Sequence, residues 1–140
     1  MSLTYDADAP VSAEPWLAAD PAQRRAAVEL AHGERVDALH PASLHRSMHV
    51  GLHTTVETLA AQGEPHVAAT LVRIMDQGVR RHAAVHMVME VLAKRMSALT
   101  GADPWDDRRW RAALDAVDPA DWIGRRMARD LLPGPSPLDR

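Results

Sequence analysis

Residues 41–62 read PASLHRSMHVGLHTTVETLAAQ, and this stretch decides the class of fold. Its apolar residues Leu44, Met48, Leu52, Val56 and Leu59 recur at steps of three and four, the period of an amphipathic helix. A second row runs beside that stripe: His45, His49, His53 and Glu57. Pro41 suits a first helical position and Gly63 a stop, so a helix is expected from about Pro41 to Gln62.

Residues 79–99, VRRHAAVHMVMEVLAKRMSAL, carry the pattern again. Val85, Met89, Leu92, Met96 and Leu99 form the apolar stripe, and His82, His86 and Glu90 stand at steps of four against it. A helix is expected from about Val79 to Leu99, with Gly101 as its C′ residue. Each stretch therefore holds a His-His-Glu ladder, because residues four apart share one helical face. Every such step also turns about 40° round the axis, so the ends of a ladder diverge by about 80° and one ladder need not converge on one ion. Two ladders on antiparallel helices can pool their ligands. In that arrangement His53 and His86 come level, His49 nears Glu90, and Glu57 nears His82.

The rest of the chain continues in the same style. Asp20-Pro21 reads as a cap followed by a first-turn proline, opening a helix to His32 with Val28 buried and Gly33 as its stop. Pro65–Gln77 is expected as a shorter helix ended by Gly78, with Val67, Leu71 and Ile74 inward. Asp103-Pro104 and Asp118-Pro119 start two further helices, about Pro104–Val117 and Pro119–Leu132. Short connections favour antiparallel neighbours. The expected fold is all-α: a compact helical bundle of four main helices with one or two short C-terminal helices. Residues 1–15 are expected as a flexible acidic tail, with Trp16 and Leu17 the first core contacts. Residues 16–132 form the single domain and 133–140 a second tail.

Composition agrees with that class. The chain of 140 residues has no Phe, one Tyr and four Trp, so its core must come from Ala, Leu, Val and Met. A net charge of -3 gives no electrostatic reason to expect nucleic acid. No stretch approaches the length of a transmembrane segment, and the first fifteen residues lack the apolar run of a signal peptide, so a cytoplasmic protein is expected. Cysteine is absent, which excludes thiolate sites and leaves nitrogen and oxygen as the only metal ligands.

The candidate metal ligands are His49, His53, Glu57, His82 and His86, with His32 and Glu90 as further candidates. Helical i, i+4 pairs of imidazoles can address one ion, and a carboxylate adds charge. Five nitrogen and oxygen donors suit a divalent transition metal, Zn, Fe, Ni or Mn. His45 extends the first ladder outward, while His40 and His66 stand beside prolines at helix starts and read as solvated. Met48, Met87 and Met89 at helical spacing read as core filler. There is no nucleophile elbow and no glycine-rich phosphate loop. Arg80-Arg81 opens the fourth helix. The C-terminal arginines, Arg108 to Arg129, alternate with Asp106 to Asp130 as a solvated, salt-bridged face, and the tryptophans read as packing anchors.

These motifs resemble a family of small bacterial all-helical proteins catalogued as a domain of unknown function. The matching residues are Trp16-Leu17 with Asp20, Arg24 and His32. They continue in His49-Val-Gly-Leu-His53-Thr-Thr-Val-Glu57, then in Leu71, Met75, Gly78, Arg81, His82 and His86. The resemblance covers about residues 15–99 and implies the helical fold and the metal ligands without an activity. The family pattern is often small or apolar where this chain has Glu90, so the other ladder residues rank ahead of it.

Three functions follow as expectations. One is a metal-dependent enzyme or redox protein, whose ion activates water or oxygen. A second is a structural-metal module acting through its C-terminal Arg/Asp/Trp-rich region on a partner or a second copy of the chain, a homodimer. The third is a metal-free helical module whose histidines form a hydrogen-bonded network.

Overall fold

Acidic side chains set most of the helix starts. Asp20 and Gln23 bond reciprocally: Asp20 Oδ1 accepts from the Gln23 amide at 2.8 Å, and Gln23 Oε1 from the Asp20 amide at 2.9 Å. This is a capping box, and it satisfies two amides that helix geometry leaves without a partner. Glu64 accepts from the Val67 amide at 2.6 Å, Asp106 from Arg108 at 2.9 Å, and Asp118 from Ala120 at 3.0 Å.

The computed structural model describes residues 3–32 and 46–131, with side chains from 3–31 and 47–125. The described residues are all-helical. The helices are α1 Ala13–Ala18, α2 Pro21–His32, α3 Arg46–Ala61, α4 Pro65–Met75, α5 Arg81–Ser97, α6 Asp107–Asp115 and α7 Pro119–Leu131. Gly63 and Gly78 end α3 and α4 at φ of +72° and +86°, a region that costs glycine nothing. The expected stop at Gly33, the start at Pro41, and the roles given to Leu44, His40 and His45 lie outside the described residues. So does the side chain of His32. No described helix is long and apolar enough to cross a membrane.

Three boundaries differ from expectation. The helix α1 breaks up what reads as a loop before Trp16. Helix α6 starts at Asp107 rather than Pro104, because Asp106 and not Asp103 caps it. Helix α5 ends at Ser97, so Gly101 is not its C′ residue.

Helix α5 is the spine. It packs on α3, α4 and α6, and α3 also meets α1, α2 and α4. Residues Ala84 to Met89 of α5 are buried without interruption, as expected of a helix enclosed on several sides. One core cluster joins Val56, Leu71, Ile74, Val85, Met89 and Leu92 with Trp110 and Trp122, and a smaller one joins Trp16, Val28 and Val50. The stripe ends behave differently: Met48 is 56% exposed, Met96 52% and Leu99 38%. Met48 stands in the first turn of α3, Met96 in the last turn of α5, and Leu99 lies beyond the end of that helix.

The C-terminal helices dock through specific bonds. Arg73 of α4 donates to the carbonyls of Leu114 and Val117 at 2.9 Å each, closing the end of α6. Trp110 and Trp122 are buried, whereas Trp105 is exposed.

Candidate metal centre

Helices α3 and α5 run antiparallel, and their cross-contacts show the register. The His49 ring lies 4.9 Å from that of His86, and the His53 ring 5.5 Å from both His82 and His86. His82 and His86, one turn apart, stand 4.4 Å centroid to centroid. One turn further along α3, Glu57 meets Arg81. His53 and His86 are therefore neighbours near the centre, as expected. The outer partners of the ladders are not the expected ones.

His49, His53 and His86 form the cluster with metal-ligand geometry. Each offers a ring nitrogen, and these atoms lie within 4.8 Å of one another. Their exposures are 5%, 0% and 5%. His82 is half-buried against the same rings.

Glu57 and Glu90 lie outside that set. Both Glu57 oxygens accept from the Arg81 guanidinium, at 2.8 and 2.7 Å, in a two-pronged pair. Glu57 is fully buried and Arg81 is 5% exposed. Burial works against the Arg81 charge, but the Glu57 carboxylate outweighs it and holds the guanidinium pKa above its ordinary value. Glu90 faces α7 instead. Its oxygens accept from Trp122 Nε1 at 3.0 Å, Lys94 Nζ at 3.0 Å and Arg125 at 3.3 Å.

The Glu90 contacts have a pH signature. Burial raises the Glu90 pKa, but the hydrogen bonds from Lys94 and Arg125 outweigh it and hold the carboxyl below its ordinary 4.5. A group with a lowered folded pKa stabilises the fold above its ordinary pKa and loses that contribution as pH falls through the lowered value. Glu90→Gln is therefore expected to flatten the acid limb of a plot of melting temperature against pH, below about 4.5. Thermal melts across that range check it; acid limbs parallel in variant and wild type would contradict the assignment.

Three residues of the site, Tyr5, Asp8 and Arg81, were not among the sequence candidates. Tyr5 hydrogen-bonds through its hydroxyl to Nε2 of His53. Its ring meets His53 edge-on at 5.6 Å and Trp16 at 5.6 Å. Burial, and then the charge and hydrogen bond of Glu57, push the phenol pKa far above the usual range. Asp8 lies on the same segment. It pairs with Arg80 and accepts from the His82 amide at 3.4 Å, placing a carboxylate at the positive end of α5. Burial opposes the Asp8 charge, but the Arg80 hydrogen bond and the His82 amide hold its carboxyl below the ordinary value. Tyr5 and Asp8 thus tie to the ladder helix pair a stretch that reads as a loose tail. Arg81 carried a signal that was available: it stands one turn before Val85, on the apolar stripe, so burial was implied.

Trp16 anchors the same region from below. Its Nε1 donates to Thr58 Oγ1 at 3.1 Å, while the Thr58 hydroxyl donates to the Thr54 carbonyl at 2.8 Å. This holds α1 against α3 and sets Tyr5 beside His53.

Comparison with protein-family models, curated proteins and solved structures finds no match to the chain.

Proposed function

We propose that this is a metal-binding helical protein whose His49, His53 and His86 hold one divalent transition metal, Zn, Fe, Ni or Mn. The observation that carries the reading is three buried imidazoles with donor atoms within 4.8 Å of one another. One ion between the three nitrogens can be bound by all of them at once. Three imidazoles with an open fourth position form a donor set that lowers the pKa of bound water or binds oxygen. A metal-dependent enzyme or redox protein is the function this arrangement supports best.

A second reading is favoured by the burial itself. A site this enclosed, with His82 against His53 and His86, also suits a closed structural centre that staples α3 to α5. The exposed arginines of α6 and the exposed Trp105 would then offer the surface for a partner or a second copy of the chain. The bundle layout of four main helices, a cytoplasmic setting and kinship with the His-x-x-x-His-x-x-Val-Glu family belong to the same proposal.

Elemental analysis of protein purified without a histidine tag tests it. Stoichiometric metal is expected in the wild type and in His66→Ala, whose histidine sits at the start of α4. It is expected to vanish in His53→Ala and in His86→Ala. Equal retention in all three variants, or no metal after reconstitution with each of the four ions, would overturn the reading.

A further inference from the structure

Helix α5 has a second polar feature, away from the histidines. At about 100° per residue, Arg95 comes round to the opposite side of the helix from His86. There it lines a cleft of about 260 Å3 between α5, α6 and the start of α7. Arg95 is half-buried, and its Nε and Nη2 atoms are buried with no hydrogen-bond partner among the described residues. Other guanidiniums of the chain behave differently. Arg24 places Nε and Nη2 on the carbonyls of Trp16 and Leu17, Arg73 reaches those of Leu114 and Val117, and Arg81 grips Glu57. Buried N–H donors without an acceptor are costly, the more so when the group is charged.

The carboxylates that line the cleft are engaged elsewhere. Glu90 accepts from Trp122, Lys94 and Arg125. Asp121 accepts from Arg125 at 3.1 Å, and Asp118 from the Ala120 amide. Lys94 and Arg125 are thereby paired as well, which leaves Arg95 as the cation of this cleft with no ion pair among the described residues.

These facts define a ligand. Nε and Nη2 lie on one edge of the planar guanidinium, where two parallel N–H bonds match the two oxygens of a carboxylate. One unpaired cation calls for one negative charge, and the three carboxylates around it oppose a second. Met87, Val91 and Trp122 give the cleft an apolar wall. Its volume is below the roughly 300–1,000 Å3 of drug-sized sites, so the occupant is small. We propose that this cleft binds a small organic monocarboxylate, its carboxylate on the Nε–Nη2 edge of Arg95 and its hydrocarbon body against Met87, Val91 and Trp122. The site is separate from the proposed metal centre and stands or falls without it.

Nuclear magnetic resonance titration of the full chain tests it, with acetate, hexanoate, benzoate and the neutral hexanamide as probes. The reporter is the Arg95 Nε–H signal, assigned by its loss in Arg95→Gln. Hexanoate or benzoate is expected to shift that signal saturably, with acetate weaker for want of a body. Hexanamide is expected to bind about 10–100-fold more weakly than hexanoate, the usual worth of hydrogen bonds between charged groups. Arg95→Gln, shown folded by its thermal melt, is expected to lose hexanoate affinity by a similar factor, read from the Trp122 Nε1–H signal. Arg111→Gln, at an exposed position of α6, is expected to keep it. No saturable shift with any of the three carboxylates would overturn the proposal, as would unchanged affinity in folded Arg95→Gln. Should that variant not fold, equal binding of hexanoate and hexanamide by the wild type would overturn it alone. Inorganic phosphate displacing hexanoate at lower concentration than acetate does would also overturn it, in favour of a phosphate site.

Discussion

Arg81→Ala is expected to destabilise the protein by about 3–5 kcal/mol, the usual cost of leaving one member of a buried ion pair without its partner. Glu57 is fully buried, and both of its oxygens depend on that guanidinium. Without it, the buried carboxylate must draw water into the interior or lose its native packing. Denaturant unfolding measures the loss as a lower midpoint at an unchanged slope. The double variant Arg81→Met with Glu57→Leu separates pairing from packing. Replacing both charges by apolar groups of similar volume is often close to neutral, so the double variant is expected to be more stable than Arg81→Ala. A cost below about 1 kcal/mol for Arg81→Ala, the range of solvated surface pairs, would show that the pair is open to water.

Saturating metal is expected to raise the melting temperature by roughly 10 °C. A ligand that binds only the folded state contributes about 4 kcal/mol at a thousandfold excess over its dissociation constant, and each kcal/mol moves the midpoint by a few degrees at this chain length. The three donors come from two helices, so unfolding disperses them and the unfolded chain competes poorly. His53→Ala and His86→Ala are expected to melt at one temperature with and without metal. Addition of a chelator to wild type should return it to the metal-free value. A wild-type midpoint unmoved by Zn, Fe, Ni and Mn would remove the linkage that the proposed centre requires.

The helices could be read from sequence because their signals are local. The Asp20-Pro21, Glu64-Pro65 and Asp118-Pro119 starts depend on residues within one turn, and the structure places helices there. At α6 two candidate caps compete, Asp103 and Asp106, and nothing local chooses between them. In the fold Asp103 pairs with Arg109, and Asp106 takes the amides. The candidate site divides in the same way. Spacing by four brings out His49, His53 and His86, because helical geometry alone aligns them. It also promotes Glu57 and Glu90, since a ladder does not reveal what faces its ends. The partner of Glu57 is 24 residues away and that of Glu90 on α7 is 32 away. Tyr5 is the hardest to read: its contact with His53 spans 48 residues from a segment with no periodicity of its own.

That last contact also orders events during synthesis. Tyr5 leaves the ribosome early, but His53, Glu57 and Arg81 emerge afterwards, and His86 later still. At the usual pace of translation, roughly 5–20 residues per second, the tyrosine waits on the order of 4–16 seconds before the last of its neighbours exists. The segment that carries Tyr5 therefore lacks its full set of partners while α2 to α4 take shape, and it completes its contacts only when the central helix arrives. A nascent chain stalled before Arg81 would hold His49 and His53 without the histidines that face them, and Glu57 without its guanidinium.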